Sequence, residues 1–245
     1  ANCGLAVLVL SYCWYSQPHP DPLGMQLQSI LPILKVLVEE AKEKGGEHCT
    51  VGVMQDFCSL PQAPRSDAHT AHFHAGLRQI NQWYAHPKTT VLLMTQPVPS
   101  APEHTNTRSY YARGWTYFEM KMSTVVKDNN CLWDLSKFTG GSSWNDLKDA
   151  MRVRRPSPTS PEQVASDIRQ GVESGMLAFT AKADMETVIK LYETGFISAL
   201  ESRASMQSRG GKGVVYWNAL GWDDHDLPAI TKALEYAEQH CDLGG

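Results

Sequence analysis

Apolar and polar positions follow two alternating patterns along the first half of the chain. Short continuous apolar runs occur at Leu5–Leu10, Thr50–Met54 and Thr89–Thr95, and such runs are typical of strands buried on both faces. Between them, apolar residues recur every three or four positions, which predicts amphipathic helices over Met25–Lys44 and Ser66–Ala85. Strands that alternate with helices predict a parallel sheet with right-handed crossovers.

The pattern changes after the third strand. A helix is predicted over Ser109–Val126 and a short fourth strand over Asn130–Leu135. The basic, proline-rich stretch Arg152–Pro161 predicts a linker or a surface crossover, because proline is excluded from helix interiors. We therefore predict an α/β domain with a parallel sheet flanked by helices over residues 1–150. A mainly helical extension over residues 151–245 follows it.

Four further elements are predicted within this extension. They are helices over Ser160–Gly171, Asp184–Ala204 and Asp226–His240, and a short strand over Val214–Trp217 that follows a flexible loop. The final strand-and-helix unit is similar to one leucine-rich repeat of the ribonuclease-inhibitor type. One such unit cannot bury a solenoid face. Either a repeat array has been cut away or this is an ordinary strand–helix pair, which is the favoured interpretation.

Composition and charge exclude two classes of partner. The chain is 42% hydrophobic and 20% charged, which is ordinary for a globular protein. Its net charge is −4, and no basic stripe interleaved with aromatic residues is present, so nucleic acid is not an expected partner. The run Leu5–Leu10 is too short to span a bilayer, and membrane insertion is not expected. Because the chain starts at Ala1, a trimmed targeting segment or a missing upstream domain remains open.

The cysteines and histidines predict no metal site. Six cysteines are scattered along the chain, at Cys3, Cys13, Cys49, Cys58, Cys131 and Cys241. No C-x-x-C pair occurs among them, which is typical of reduced, mostly buried thiols in the cytoplasm or another intracellular compartment. His69 and His72 share a helix face, but His74 lies off that face, so we interpret the three as solvated side chains.

Polar side chains follow the first two predicted strands. Ser11 comes directly after the first strand, and Asp56 follows the second. In parallel sheets, ligands bind outside the carboxyl ends of the strands. Asp56 could bind a ribose hydroxyl or orient a base, or it could cap its own loop. Trp14 could stack on a flat ring or pack the loop onto the sheet, and Ser11 could donate to a phosphate or hydroxyl group.

The segment Arg113–Glu119 concentrates an arginine, a carboxylate and large aromatic residues. A carboxylate at the sheet's carboxyl edge could stabilise an oxocarbenium-like cation or orient ribose hydroxyls, as cleavage of a glycosidic bond requires. Alternatively, Glu119 could pair with Arg113 or with a more distant cation. No G-x-G-x-x-G motif follows the first strand, so a dehydrogenase-type dinucleotide site is not predicted.

Three sequence blocks carry a resemblance to a known family. Leu8–Trp14 is similar to the "Y-V-A-L-S-Y-x-W" opening of the fungal heterokaryon-incompatibility (HET) domain, a divergent relative of the Toll/interleukin-receptor (TIR) fold. Asp56–Gln62 is similar to its "D-x-x-C-I-x-Q" block, and Arg113–Glu119 to its "R-x-W-T-x-Q-E" block. The chain also resembles a set of algal proteins that carry the same three blocks.

The resemblance implies a flavodoxin-like parallel sheet and a role in signalling or assembly. Many TIR domains hydrolyse NAD with a glutamate on the helix after the third strand, and Glu119 matches that position. The chain departs from the HET pattern at three places. Tyr15 replaces a glycine, Pro18–Pro22 is an insertion, and Phe118 replaces a glutamine.

Two hypotheses follow from the resemblance. In the first, the protein consumes NAD as its substrate and requires no metal or further cofactor. Glu119 would be catalytic, and Ser11, Trp14, Asp56, Arg113 and Trp115 would bind the substrate at one end of the sheet. In the second, the same fold is a non-catalytic interaction module that self-associates or belongs to a larger protein assembly.

Overall fold

A computed structural model of the chain describes residues 6–181, 183–206 and 221–242. The predicted strand Val214–Trp217 and the loop before it lie outside these described residues, as does most of the unit that resembles a leucine-rich repeat.

The strands form one parallel sheet. They are β1 (Ala6–Ser11), β2 (Val51–Met54), β3 (Thr89–Leu93) and β4 (Leu132–Asp134). The order across the sheet is β2-β1-β3-β4, and every pairing is parallel. In the register, Leu8 lies opposite Val53 on one side and opposite Thr90 on the other. The prediction of a flavodoxin-like α/β fold with a helical C-terminal part is therefore confirmed.

Eight α-helices are described. They are α1 (Met25–Gly45), α2 (Asp56–Ser59), α3 (Asp67–Ala85), α4 (Gly114–Met122), α5 (Trp144–Met151), α6 (Pro161–Glu173), α7 (Asp184–Met206) and α8 (Leu227–His240). The short helix α2 and the helix α5 were not predicted. A sequence signal for α5 does exist, because Ser143 precedes it and accepts a hydrogen bond from the Asp146 amide, as an N-cap residue does.

The core of the sheet region follows from the apolar runs. Leu8, Leu10 and Leu92 are each at most 2% exposed, as continuous apolar strands of a covered sheet should be. Helix α1 adds Ile33 and helix α5 adds Leu147 to the same cluster, and both residues are fully buried. The two helices also contact each other, and residues of both belong to this apolar cluster.

Helix α4 is shorter than the predicted helix over Ser109–Val126 at both ends. At its start, Arg113 is extended and forms a parallel bridge with Ala178. At its end, the hydroxyls of Ser123 and Thr124 donate to the carbonyls of Glu119 and Lys121, at 2.7 and 2.8 Å. Such side-chain bonds offer the backbone an alternative to continuing the helix.

Contacts between residues divide the chain into two compact units, each built from three stretches. The first contains Ala1–Leu77, Lys88–Tyr110 and Asn130–Val153. The second contains Arg78–Pro87, Tyr111–Asn129 and Arg154–Gly245. The sheet belongs to the first unit, whereas α4, α6, α7 and α8 belong to the second, where α7 contacts the other three. The predicted boundary between residues 1–150 and residues 151–245 stays a prediction.

The sequence predicts that Arg152–Pro161 is a linker or a surface crossover, but part of this stretch is buried. Arg155 is completely buried, its guanidinium lies 5.1 Å from the Trp222 ring, and its Nη1 donates to the Lys127 carbonyl. The flat guanidinium can stack on the indole, which allows a charged side chain to enter the interior.

The cysteines differ from expectation at two positions. Cys13, Cys58, Cys131 and Cys241 are free thiols. Cys49 is disulfide-bonded. The expectation that the thiols are reduced is therefore wrong for Cys49. The expectation that they are buried is wrong for Cys58, which is a free thiol but is exposed. The intracellular location stays a prediction, and the disulfide bond of Cys49 weakens the argument for it from reduced thiols.

None of the helices in the described part of the chain combines the length and the apolar character needed to cross a membrane.

Candidate functional site

Asp56 lies at the carboxyl end of β2, where three donors surround its carboxylate. Tyr12 donates its hydroxyl to Oδ1, the Trp14 indole N–H donates to Oδ2 at 3.1 Å, and the Phe57 amide donates to Oδ1 at 2.7 Å. Burial raises the pKa of Asp56 above its ordinary value, and the three hydrogen bonds oppose this rise because they favour the ionised form. The sequence places Tyr12 and Trp14 directly after β1, so the end of one strand supports the carboxylate at the end of its neighbour.

Aromatic rings pack on one another next to this carboxylate in the chain. Trp14 contacts Phe57 edge to face, with ring centroids 5.5 Å apart, and His19 contacts Phe57 at 4.7 Å. Trp14 is neither fully buried nor fully exposed. The indole therefore packs its own loop, as one of the two sequence interpretations proposed, and still exposes part of its ring.

Ser11 lies at the point where the sheet order reverses. It is the last residue of β1, between β2 on one side and β3 on the other, and it pairs with Leu93 in the register. This position is the topological switch point at which doubly wound sheets bind ligands. Ser11 is completely buried, and its hydroxyl lies 2.5 Å from the Tyr110 hydroxyl. A ligand that binds the Ser11 hydroxyl would therefore compete with the Tyr110 hydroxyl for it.

The same edge holds a second carboxylate that the sequence analysis missed. Asp134 is the last residue of β4, and its Oδ1 accepts from the Thr95 hydroxyl at 2.5 Å and from the Ser136 amide at 2.9 Å. The signal was available, since an aspartate directly follows the short apolar run of the predicted fourth strand. Four strand ends thus place Ser11, Asp56, Thr95 and Asp134 along one edge of the sheet.

Two long loops at this edge are fixed by polar contacts. Gln26 donates to the carbonyls of Cys13 and Pro20, at 2.8 and 3.1 Å, which holds the loop after β1. In the proline-rich loop after β3, the Asn106 amide donates to the Tyr15 carbonyl at 2.9 Å, and the His104 ring packs on the Tyr15 ring at 4.6 Å. The edge is therefore built by ordered loops.

The other three predicted site residues belong to the second compact unit. Arg113 and Glu119 are 8% and 7% exposed, respectively, so both charged groups are buried. Trp115 donates its indole N–H to Asp184 at 3.1 Å and contacts Phe118 edge to face. Gly114 lies between Arg113 and Trp115, where the Phe179 ring occupies the space that a Cβ would need.

The structure thus joins some of the predicted residues directly. Trp14 and Asp56 share a hydrogen bond, and Ser11 ends β1, which pairs with β2, the strand that precedes Asp56. Arg113 is the N-cap residue of α4, Trp115 lies in its first turn, and Glu119 lies in its second half. The convergence of these two groups into a single pocket stays a prediction. Within residues 6–181, 183–206 and 221–242, no group of three histidine, cysteine or acidic residues is placed to hold a metal ion.

Comparison with family models, with curated proteins and with solved structures gave no match to this chain. The resemblance to HET and TIR domains therefore depends on the three sequence blocks alone.

Proposed function

We propose that this chain is a TIR/HET-like signalling or assembly module that binds a nucleotide such as NAD at the carboxyl edge of its sheet. The observation that supports this proposal is the position of Asp56 beside the switch point of the β2-β1-β3-β4 sheet, with Trp14 hydrogen-bonded to it. A carboxylate at this edge is suited to ribose hydroxyls, and a partly exposed indole is suited to a flat base.

Cleavage of the nucleotide is the further part of this proposal. Hydrolysis of an N-glycosidic bond builds positive charge on the ribose, and a carboxylate held near the anomeric carbon stabilises that charge. Glu119 is buried on α4, and burial would strengthen its electrostatic effect on a cation. Its role as the catalytic residue comes from its position in the third HET-like block.

The decisive experiment measures nicotinamide release from NAD by concentrated wild-type protein and by Glu119→Gln. We expect the substitution to lower the rate by about 10²–10³, because it removes the charge while preserving side-chain volume. Glu173→Gln, which changes an exposed glutamate of the same unit, is the matched control and should leave the rate unchanged. Wild-type protein that releases no nicotinamide, even at high concentration, would exclude cleavage.

One observation favours a second candidate, a non-catalytic subunit of a larger protein assembly. Both oxygens of Asp56 already accept hydrogen bonds from the chain itself, and Ser11 is buried against Tyr110. In this alternative, the same residues fix the loops of an interaction surface. Titration with NAD separates the candidates, because the interaction module would show no saturable binding and the nucleotide module would.

A further inference from the structure

A small cavity lies within the second compact unit, apart from the residues of the proposed nucleotide site. It is lined mainly by the end of α3 and the second half of α7, and its volume is about 170 Å³. Helix α7 contributes Gly195, Ser198, Ala199 and Ser202, whose spacing places them on one face of the helix. Because all four side chains are small, they leave an unfilled volume opposite α3.

The cavity has a buried floor and an open mouth. Asn81 and Ala85 of α3 are each 5% exposed, and Gly195 of α7 is also buried. Gln82 and Ser202, which line the same cavity, are exposed. A small molecule can therefore enter from solvent past these two side chains and contact the buried residues.

The Asn81 side chain leaves a buried acceptor without a partner. Its Nδ2 donates to the Leu191 carbonyl at 3.5 Å, which orients the amide. Its Oδ1 is buried and accepts no hydrogen bond within the described residues. A buried polar atom that lacks a partner is costly, and native proteins usually satisfy it with a protein group or a bound molecule. The torsion that turns an amide is broad, so a small rotation is enough to present Oδ1 to the cavity.

Gly195 provides the space that the Asn81 amide occupies. A Cβ at this position would lie 2.7 Å from Asn81 Nδ2 and 2.9 Å from the sulfur of Met122. Both distances are shorter than a side chain tolerates, so any larger residue would displace the amide. The glycine therefore keeps a hydrogen-bonding group at the floor of a cavity whose other walls are mostly small.

Size and charge define the class of ligand. Among the described residues that line the cavity there is no lysine, arginine or carboxylate, and an unpaired charge is costly to bury, so the ligand is neutral. The volume is close to the roughly 150 Å³ of an apolar cavity that holds benzene. We propose that this cavity binds a small neutral ring compound of the phenol class, whose single hydroxyl or N–H group donates to Asn81 Oδ1.

The test is titration of the full, isotopically labelled chain with phenol, followed by NMR of its amide groups. We expect saturable shifts of the Asn81 side-chain amide and of the Gly195 backbone amide, because both residues line the cavity. Toluene has nearly the shape of phenol but no donor, so titration with toluene gives the affinity for the ring alone. Phenol shifts that do not saturate, or that occur only elsewhere in the chain, would overturn the proposal and leave water as the occupant.

A substitution of Asn81 tests whether its amide recognises the donor. Asn81→Leu removes the acceptor but keeps a side chain of similar size. It should lower the affinity for phenol relative to toluene by about tenfold, because the phenol hydroxyl would then be buried without a partner. Asn81→Ala serves where the leucine variant does not fold, as circular dichroism will show. An unchanged ratio of the two affinities in a folded variant would contradict the inference.

A second substitution tests whether the compounds occupy this cavity. Ala199→Leu places an apolar side chain in the cavity and should abolish the binding of both compounds. Ala165→Leu, which changes a half-buried alanine of α6 outside the lining, is the matched control and should leave both affinities unchanged. Binding that survives Ala199→Leu would place the compounds elsewhere and overturn the proposal. Neither NAD nor Glu119 enters these experiments, so their outcome is independent of the proposed function.

Discussion

Asp56 shows how a single strand end receives its chemical environment from a neighbouring strand. The residue itself lies just after β2, as the first residue of α2, but two of its three donors, Tyr12 and Trp14, come from the segment that follows β1. Because β1 and β2 are paired in parallel, their carboxyl ends meet at the same edge. Burial raises the pKa of this carboxyl group, and its hydrogen bonds oppose the rise because they favour the ionised form.

The raised pKa of Asp56 predicts how stability depends on pH. The folded state holds its proton to a higher pH than the unfolded state does, so the free energy of unfolding should fall as pH rises from 3.8, the ordinary value, through the raised value. Asp56→Asn cannot titrate and should lack this decline. Urea unfolding across mildly acidic pH measures the difference. Parallel pH profiles of the unfolding free energy for the two proteins would show that the pKa of Asp56 is not raised in the folded state.

Two substitutions of Trp14 separate the contribution of its ring from that of its hydrogen bond to Asp56. Trp14→Phe keeps an aromatic ring but loses the N–H donor to Asp56, whereas Trp14→Ala loses both. If the ring stacks on a base, Trp14→Ala should weaken NAD binding by about 1–3 kcal/mol, and Trp14→Phe should retain most of the affinity. Calorimetric titration measures both. Equal losses in the two variants would assign the effect to the hydrogen bond with Asp56 instead.

At the scale of elements, α4 is defined by what happens at its two ends. Its first turn is fixed by the bridge between Arg113 and Ala178, and the Gly114 amide donates to the Ala178 carbonyl at 2.9 Å. This close approach explains the glycine, because the Phe179 ring fills the space beside its Cα. The carboxylate-bearing face of α4 is therefore positioned by a segment that lies more than 50 residues away in sequence.

Gly114→Ala should consequently destabilise the protein. The added methyl group overlaps the Phe179 ring, and overpacking of this kind typically costs about 1–3 kcal/mol. Urea unfolding measures the loss. In a double-mutant cycle, Phe179→Ala should make the same glycine substitution much less costly, because the clashing ring is gone. Additive effects of the two changes would refute this explanation of the glycine.

At the scale of the whole molecule, the proposed function makes self-association the property to measure. If the module acts only when assembled, the rate of nicotinamide release per molecule should rise with protein concentration. Sedimentation velocity over the same range should then show species larger than the 27.2 kDa chain. A rate per molecule that stays constant, with only monomer present, would contradict the assembly requirement.

The sequence by itself determined the four strands of the sheet, their sequential order and most of the described helices. Each of these elements depends on a short-range pattern. An apolar run indicates a buried strand, and apolar residues every three or four positions indicate a helix with one apolar face, and both patterns can be identified within a short window of sequence. The tertiary structure alone decided which side chains meet. Ser11 contacts Tyr110 and Thr95 contacts Asp134, pairs 99 and 39 residues apart, and Arg155 became buried against Trp222. These partners depend on how loops return to the sheet edge and on packing within each unit, and no local pattern encodes either.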